Sequence, residues 1–184
     1  MAGKTNELIQ LSKDISKNFN KRELDVLLSS GEQITAGLMS LALKKLNVPA
    51  RSWLGWQIPI ITRGQHRNAF IDKIVPDGIV NDFKEKKVAV VAGFQGINNG
   101  SITTLGRGGS DTSAVAIAAA LKAAECQIFT DVDGVYTTDP RVCSKAKKVD
   151  QMTYEEMLEM SGLGSKVLQL RSVEFASKYN VPVR

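Results

Sequence analysis

Thr103-Thr-Leu-Gly-Arg-Gly-Gly-Ser-Asp111, running straight into the alanine-rich stretch 112–124, is the segment on which the reading of this chain turns. Three glycines around one arginine describe a backbone able to wrap closely about an anion, and Ser110 stands at the mouth of a helix expected from Ser110 to Ala124. Free amide donors at a helix start and the Arg107 guanidinium both favour a carboxylate or phosphate. Alone, Gly-Gly-Ser before alanines is equally an ordinary loop and N-cap.

Upstream, Lys87-Val-Ala-Val-Val-Ala-Gly93 is a continuously apolar run, the pattern of a strand buried on both faces. Asn98-Asn99-Gly100 predicts a hairpin turn, with Ser101 to Leu105 returning as a short strand. Downstream, Gln127-Ile-Phe-Thr130 predicts another strand, and the strand, loop, helix, strand order is that of α/β layering.

A second polar loop begins at the carboxyl end of that strand, where open α/β sheets bind ligands: Thr130-Asp-Val-Asp-Gly-Val-Tyr-Thr-Thr-Asp-Pro-Arg141. It offers hydroxyl and carboxylate groups, the aromatic face of Tyr136 and the Arg141 guanidinium to a nucleotide. By itself it is also readable as an acidic turn built on Asp133-Gly134 and Asp139-Pro140. Two such loops after successive strands, one helix apart, favour two substrates meeting at one sheet edge.

The remaining elements are helices over 5–19, 22–46, 153–160 and 168–178, and strand-like sequence over 51–62. In the long helix Leu38, Leu41, Ala42 and Leu46 share one face, expected to be the apolar one. Ser29-Ser-Gly-Glu-Gln33 places Glu32 beside a glycine, either as a capping or surface carboxylate or as a cleft group able to take a substrate ammonium. Gly162-Leu-Gly-Ser-Lys166 places Lys166 near polyphosphate, or caps a helix.

With 184 residues and 43% hydrophobic composition, the chain can bury one sizeable core. The net charge of +5 comes from scattered lysines without interleaved aromatics, which solvated faces explain and a nucleic-acid surface does not require. Cys126 and Cys143 lack metal-ligand spacing and follow no secretory signal, so reduced thiols in a cytoplasmic protein are expected. His66, the single histidine, excludes a zinc cluster or a histidine-rich triad and is expected at the surface. No apolar run is read as approaching a membrane span.

Gly31-Glu-Gln33, Val91-Ala-Gly-Phe-Gln-Gly96, Thr103 to Asp111, Thr130 to Arg141, and Glu155-Glu-Met-Leu-Glu159 with Gly164-Ser-Lys166 together resemble the successive signatures of the aspartokinases, within the amino-acid kinase superfamily. The resemblance implies a three-layer α/β/α sandwich with a largely parallel central sheet, truncated at both ends. It implies one partial catalytic domain over 1–184, with an aspartate-binding portion 1–125 and an ATP-binding portion 126–184.

The implied reaction moves the γ-phosphoryl group of ATP to the side-chain carboxylate of L-aspartate, the entry to lysine, threonine, methionine and diaminopimelate synthesis. On this resemblance Arg107 and the Gly108, Gly109 and Ser110 amides hold the aspartate carboxylates, Glu32 binds the amino group and Thr5 lines the same pocket. Asp111 organises the reacting phosphate and its cations. Thr130, Asp131, Tyr136 and Arg141 form the nucleotide side, Lys166 reaches the phosphates, and Mg²⁺ travels with ATP while the protein supplies no metal site of its own.

The partners implied are L-aspartate and ATP, together with a homo-oligomer, a missing segment or a regulatory chain, and neither nucleic acid nor membrane. Family members carry a Lys-Phe/Tyr-Gly-Gly-Thr/Ser-Ser loop before the stretch that matches Met1, and regulatory ACT domains after it. Their absence makes a catalytically impaired remnant or nucleotide-binding subunit the alternative.

Overall fold

A computed structural model describes residues 3–164 and 167–184. Helices α1 (Lys4–Ile15) and α2 (Lys21–Lys45) precede β1 (Ala50–Trp53), β2 (Ile60–Arg63), β3 (Phe70–Ile74), α3 (Asp77–Lys84) and β4 (Val88–Val91). The hairpin β5 (Gln95–Asn98) and β6 (Ser101–Thr104) leads into α4 (Gly109–Leu121), and α5 (Tyr154–Gly162) and α6 (Leu170–Tyr179) complete the order.

The architecture is α/β, with helices on both sides of parallel and mixed strands. β1 and β4 pair in parallel, while β3-β2-β5-β6 form a mixed sheet in which only β2 and β5 run parallel. The β5–β6 turn is the expected hairpin: Asn99 and Gly100 both have positive φ (47° and 75°), the geometry that matches strand twist.

Three apolar clusters hold these layers. Trp53, Ile58, Ile60, Ile79 and Leu105 join the strands to α3 and α4. Val115, Ala118, Cys126, Ala176 and Val181 join α4 to α6 and the chain end. Leu8, Leu24 and Leu28 fasten α1 onto α2.

Four expectations are corrected. No strand forms over 127–130: Cys126 makes a single parallel bridge with Val183, supported by backbone bonds from Cys126 to Pro182 and from Ile128 to Arg184. β4, expected to be buried on both faces, is half-open, with Val88 exposed, because β1 is its one pairing partner among the described residues.

The inward face of α2 carries Leu24, Asp25, Leu28, Ser29, Gly31, Ala36 and Ser40, whereas Leu38, Leu41 and Leu46 lie exposed. Small and polar residues face inward because α2 lies close against β1, β4 and β6. Finally, α2 does pass the length and composition test for a membrane span, contrary to expectation. Its inward face nevertheless holds the fully buried Asp25, which hydrogen-bonds to the strand layer.

Candidate active site

The glycine-rich loop is shaped by two left-handed glycines, Gly106 (φ 79°) and Gly108 (φ 69°). A Cβ on Gly108 would lie 1.9 Å from the Gln169 side chain, and one on Gly109 would lie 2.7 Å from the Phe94 ring. Close approach of neighbouring elements therefore requires glycine at both positions.

Gly108, not Ser110, is the N-cap of α4, which starts one residue earlier than expected. The Gly109 amide is committed to the Gly106 carbonyl at 3.1 Å. Of the other expected amide donors, Gly108 and Ser110 have no backbone acceptor among the described residues, and neither does the first-turn amide of Asp111. These groups and the positive end of the helix are the kind of donors that favour an anion.

That loop forms one wall of a cavity of about 530 Å³, also lined by Thr5, Asn6, Ile9, Leu28, Glu32, Arg67, Phe94 and Thr104. The cavity brings together every residue expected on the aspartate side: Thr5, Glu32, Arg107, Gly108, Gly109 and Ser110. Glu32 lies half-buried in the interior of α2 and lines the cavity, which excludes a capping role. Desolvation raises its pKa above the ordinary carboxylate value. Beside it, Gln33 donates to Gln95, which in turn donates to the Ser29 carbonyl (3.2 and 3.3 Å), fixing this turn of α2 on β5.

The part of the wall formed by Arg67 and Thr104 is braced by a group the sequence reading missed. Asp25 is fully buried on α2 and accepts from Thr104 Oγ1 at 2.5 Å and from the Arg67 amide at 3.1 Å. It also bonds His66 Nδ1 at 2.7 Å, so His66 is a half-buried bracing residue and not the expected surface group. An acid inside the apolar run Leu24-Asp-Val-Leu-Leu28 was the available signal. Phe94, at φ 65°, donates its amide to Ser113 Oγ (2.9 Å) and accepts from the Leu105 amide (3.0 Å).

Asp111 is half-buried, and burial raises its pKa. It also acts at a distance: the Cys126 thiol is pushed up first by burial and then by the Asp111 carboxylate. Asp111 follows the cavity-lining Ser110 in the first turn of α4.

The expected nucleotide groups do not line the cavity. Thr130 donates to Asp131, and Tyr136 donates to Asp133 at 3.0 Å. Arg141 makes a two-pronged contact with Asp139 at 3.1 and 2.9 Å. The segment folds on itself through the Tyr136–Lys148 bridge and the backbone bonds of Thr137 and Val149. Lys166 lies outside the described residues. Among those residues no cluster of metal-ligating side chains occurs, and Cys126 and Cys143 are free thiols.

An α/β layer carrying an anion-directed helix start, a carboxylate and guanidinium groups in one cavity defines a small-molecule-binding domain of the kind that handles charged metabolites. The chain belongs to the amino acid kinase family, whose description matches residues 2–184. It is 60% identical over its full length to an aspartate kinase of Pseudomonas putida, covering 45% of that protein.

Among solved structures, it is similar to an aspartate kinase from Synechocystis, with a TM-score of 0.84 and 48% identity over 100% of this chain and 30% of that one. It is also similar to E. coli aspartokinase III in complex with aspartate and ADP, with a TM-score of 0.84 and 32% identity over 97% of this chain and 41% of that one. The chain spans less than half the length of these relatives.

Proposed function

We propose that this chain is the greater part of the catalytic domain of an aspartate kinase, with the acceptor bound in the 530 Å³ cavity and ATP approaching over residues 126–184. The observation that carries this reading is the convergence of Glu32 and Arg107 on one cavity closed by the N-terminus of α4. An ammonium group pairs with Glu32, and carboxylates pair with Arg107 and the free amides of the helix start.

The reaction needs positioning more than covalent help. A side-chain carboxylate oxygen of L-aspartate, already ionised near neutral pH, attacks the γ-phosphorus of ATP; the bond from that phosphorus to the bridging oxygen breaks, and ADP leaves. Asp111 has no ion-pair partner among the described residues and is desolvated, which suits a carboxylate that orders the cations accompanying the phosphates. Mg²⁺ belongs with ATP, since phosphate oxygens and water are its main ligands.

Thr130, Asp131, Tyr136 and Arg141 are assigned to the nucleotide, and Lys166 keeps its sequence-based assignment to the phosphates. In this reading Arg141 exchanges Asp139 for phosphate when ATP binds. The enzyme works in the cytoplasm, where ATP and reduced thiols coexist.

The test is ATP-dependent formation of aspartyl hydroxamate by the purified chain, with Arg107→Ala as its control. Turnover that falls about 10- to 100-fold in kcat/KM on losing the charged contact supports the assignment. Turnover indifferent to Arg107→Ala removes it. A folded chain that binds L-aspartate without turning it over supports the alternative of a catalytically impaired unit.

A further inference from the structure

We propose that Arg67 is a second substrate-binding cation, so that Arg67 and Arg107 each hold one of the two carboxylates of an amino dicarboxylate. The inference rests on the reading of the cavity as an acceptor site. Among the described residues, the ionisable groups lining it are Glu32, Arg67 and Arg107. One carboxylate and two guanidinium groups are the charge mirror of one ammonium and two carboxylates. An amino monocarboxylate leaves one guanidinium without its partner, which is how a polar pocket discriminates strongly.

The backbone around Arg67 is held in an unfavourable state at this wall. Its φ is 71°, the left-handed region that glycine occupies freely and arginine does not. The Arg67 amide is fixed by the buried Asp25, and its carbonyl oxygen lies 2.9 Å from where a Cβ on Gly106 would stand. Arg67 is therefore pinned between α2 and the glycine-rich loop.

Its Nε is buried and has no hydrogen-bond partner among the described residues. An unpaired buried guanidinium donor and a left-handed arginine are two costs at one residue, and the amide bond to Asp25 offsets neither the guanidinium's missing acceptor nor its burial. Arg67 also lines the cavity, where a ligand carboxylate would supply the missing acceptor once the occluded Nε turns toward it. Strain of this kind persists at binding sites because the surroundings over-determine it.

The experiment is calorimetric titration of the purified chain, its Arg67→Gly and Arg67→Met variants, and Arg107→Met. The ligands are L-aspartate, L-asparagine and L-isoasparagine, which together remove each carboxylate charge in turn. Both Arg67 variants should bind L-aspartate about 10- to 100-fold more weakly, the range for a hydrogen bond to a charged group. Arg67→Gly should keep or raise Tm, because glycine accepts this backbone, which separates lost binding from lost folding.

The affinity loss in the Arg67 variants should vanish for one mono-amide, and the loss in Arg107→Met should vanish for the other. Unchanged L-aspartate affinity in Arg67→Gly overturns the proposal, as does a loss equal across all three ligands. A folded wild-type chain that binds no L-aspartate overturns the acceptor-site reading and this inference with it, whereas wild-type binding with an indifferent Arg67 removes this inference alone.

Discussion

The glycine-rich loop and the acidic loop are both rich in glycine and polar groups, yet they are held in opposite ways. The first is fixed from outside itself: Asp25 reaches Thr104 from α2, Arg171 donates to the Leu105 carbonyl from α6, and Gln169 and Phe94 fill the space beside Gly108 and Gly109. The second is fixed by its own neighbours, with Tyr136 on Asp133, Arg141 on Asp139 and residues 135–137 on 147–149. On the proposed assignment the acceptor pocket is thus built before its ligand arrives, while the proposed nucleotide loop trades internal pairs for phosphate contacts. If the chain carries out the proposed reaction, preorganisation on the acceptor side favours it, because orientation is the larger part of phosphoryl-transfer catalysis.

The sharpest way to break this contrast is Gly108→Ala. The new methyl falls on Gln169 at 1.9 Å and sits at φ 69°, so left-handed strain and overpacking together should cost about 3 kcal/mol. Thermal denaturation reads this, and L-aspartate binding should be lost with it. A stable variant with intact binding would show that the loop is looser than its contacts imply.

Asp25→Ala comes next, with an expected cost of about 2 kcal/mol from stranding the Thr104 hydroxyl and the Arg67 amide. Denaturant unfolding measures it. In L-aspartate titrations the variant should also bind more weakly, since the wall carrying Arg67 is released. If stability falls while affinity holds, the wall does not depend on this brace.

The same contrast explains what could be read from the chain alone. The hairpin at Asn99-Gly100, the long helix and the glycine-rich loop were legible because each is decided by local chemistry: turn residues, helical spacing and a helix start. Glu32, Arg107 and Thr5 were placed in one pocket through resemblance, and they do line one cavity.

Arg67, Phe94 and Asp25 were not legible, because their importance comes from partners far along the chain and from left-handed backbones that no residue type announces. The face of α2 was misjudged for a related reason. Periodicity defines a stripe, but packing distance decides that Ser29, Gly31, Ala36 and Ser40 turn inward while Leu38 and Leu41 do not. The strand over 127–130 failed because composition cannot reveal that, among the described residues, pairing at this edge is limited to the Cys126–Val183 bridge and its flanking backbone bonds.

Smaller effects sharpen the comparison through pH. Burial raises the pKa of Glu32 and of Asp111 above 4.5 and 3.8, so the folded state holds protons that the unfolded chain has released. A raised carboxylate pKa favours folding below the unfolded value, and that contribution is lost as pH rises through the folded value. Glu32→Gln and Asp111→Asn should therefore stabilise the free chain at pH 7, by less than about 1 kcal/mol because both groups are half-exposed and screened. The gain should disappear below about pH 4. Denaturant midpoints across pH 3 to 8 measure it, and Glu32→Gln should still bind L-aspartate more weakly. Destabilisation at pH 7 would mean that these carboxylates are partnered in the free protein.

The smallest effect on the fold belongs to Arg141→Ala, and its smallness is the point. The guanidinium is exposed and pairs two residues away with Asp139, so nothing in the layers depends on it, and Tm should not move measurably. L-Aspartate affinity should be unchanged as well, since Arg141 does not line the acceptor cavity. Binding of ADP, followed by calorimetry, should weaken if the arginine is recruited by phosphate. An ADP affinity equal to wild type would mean that the Arg141–Asp139 pair serves only the loop's own shape, and the nucleotide side would then have to be sought elsewhere along residues 126–184.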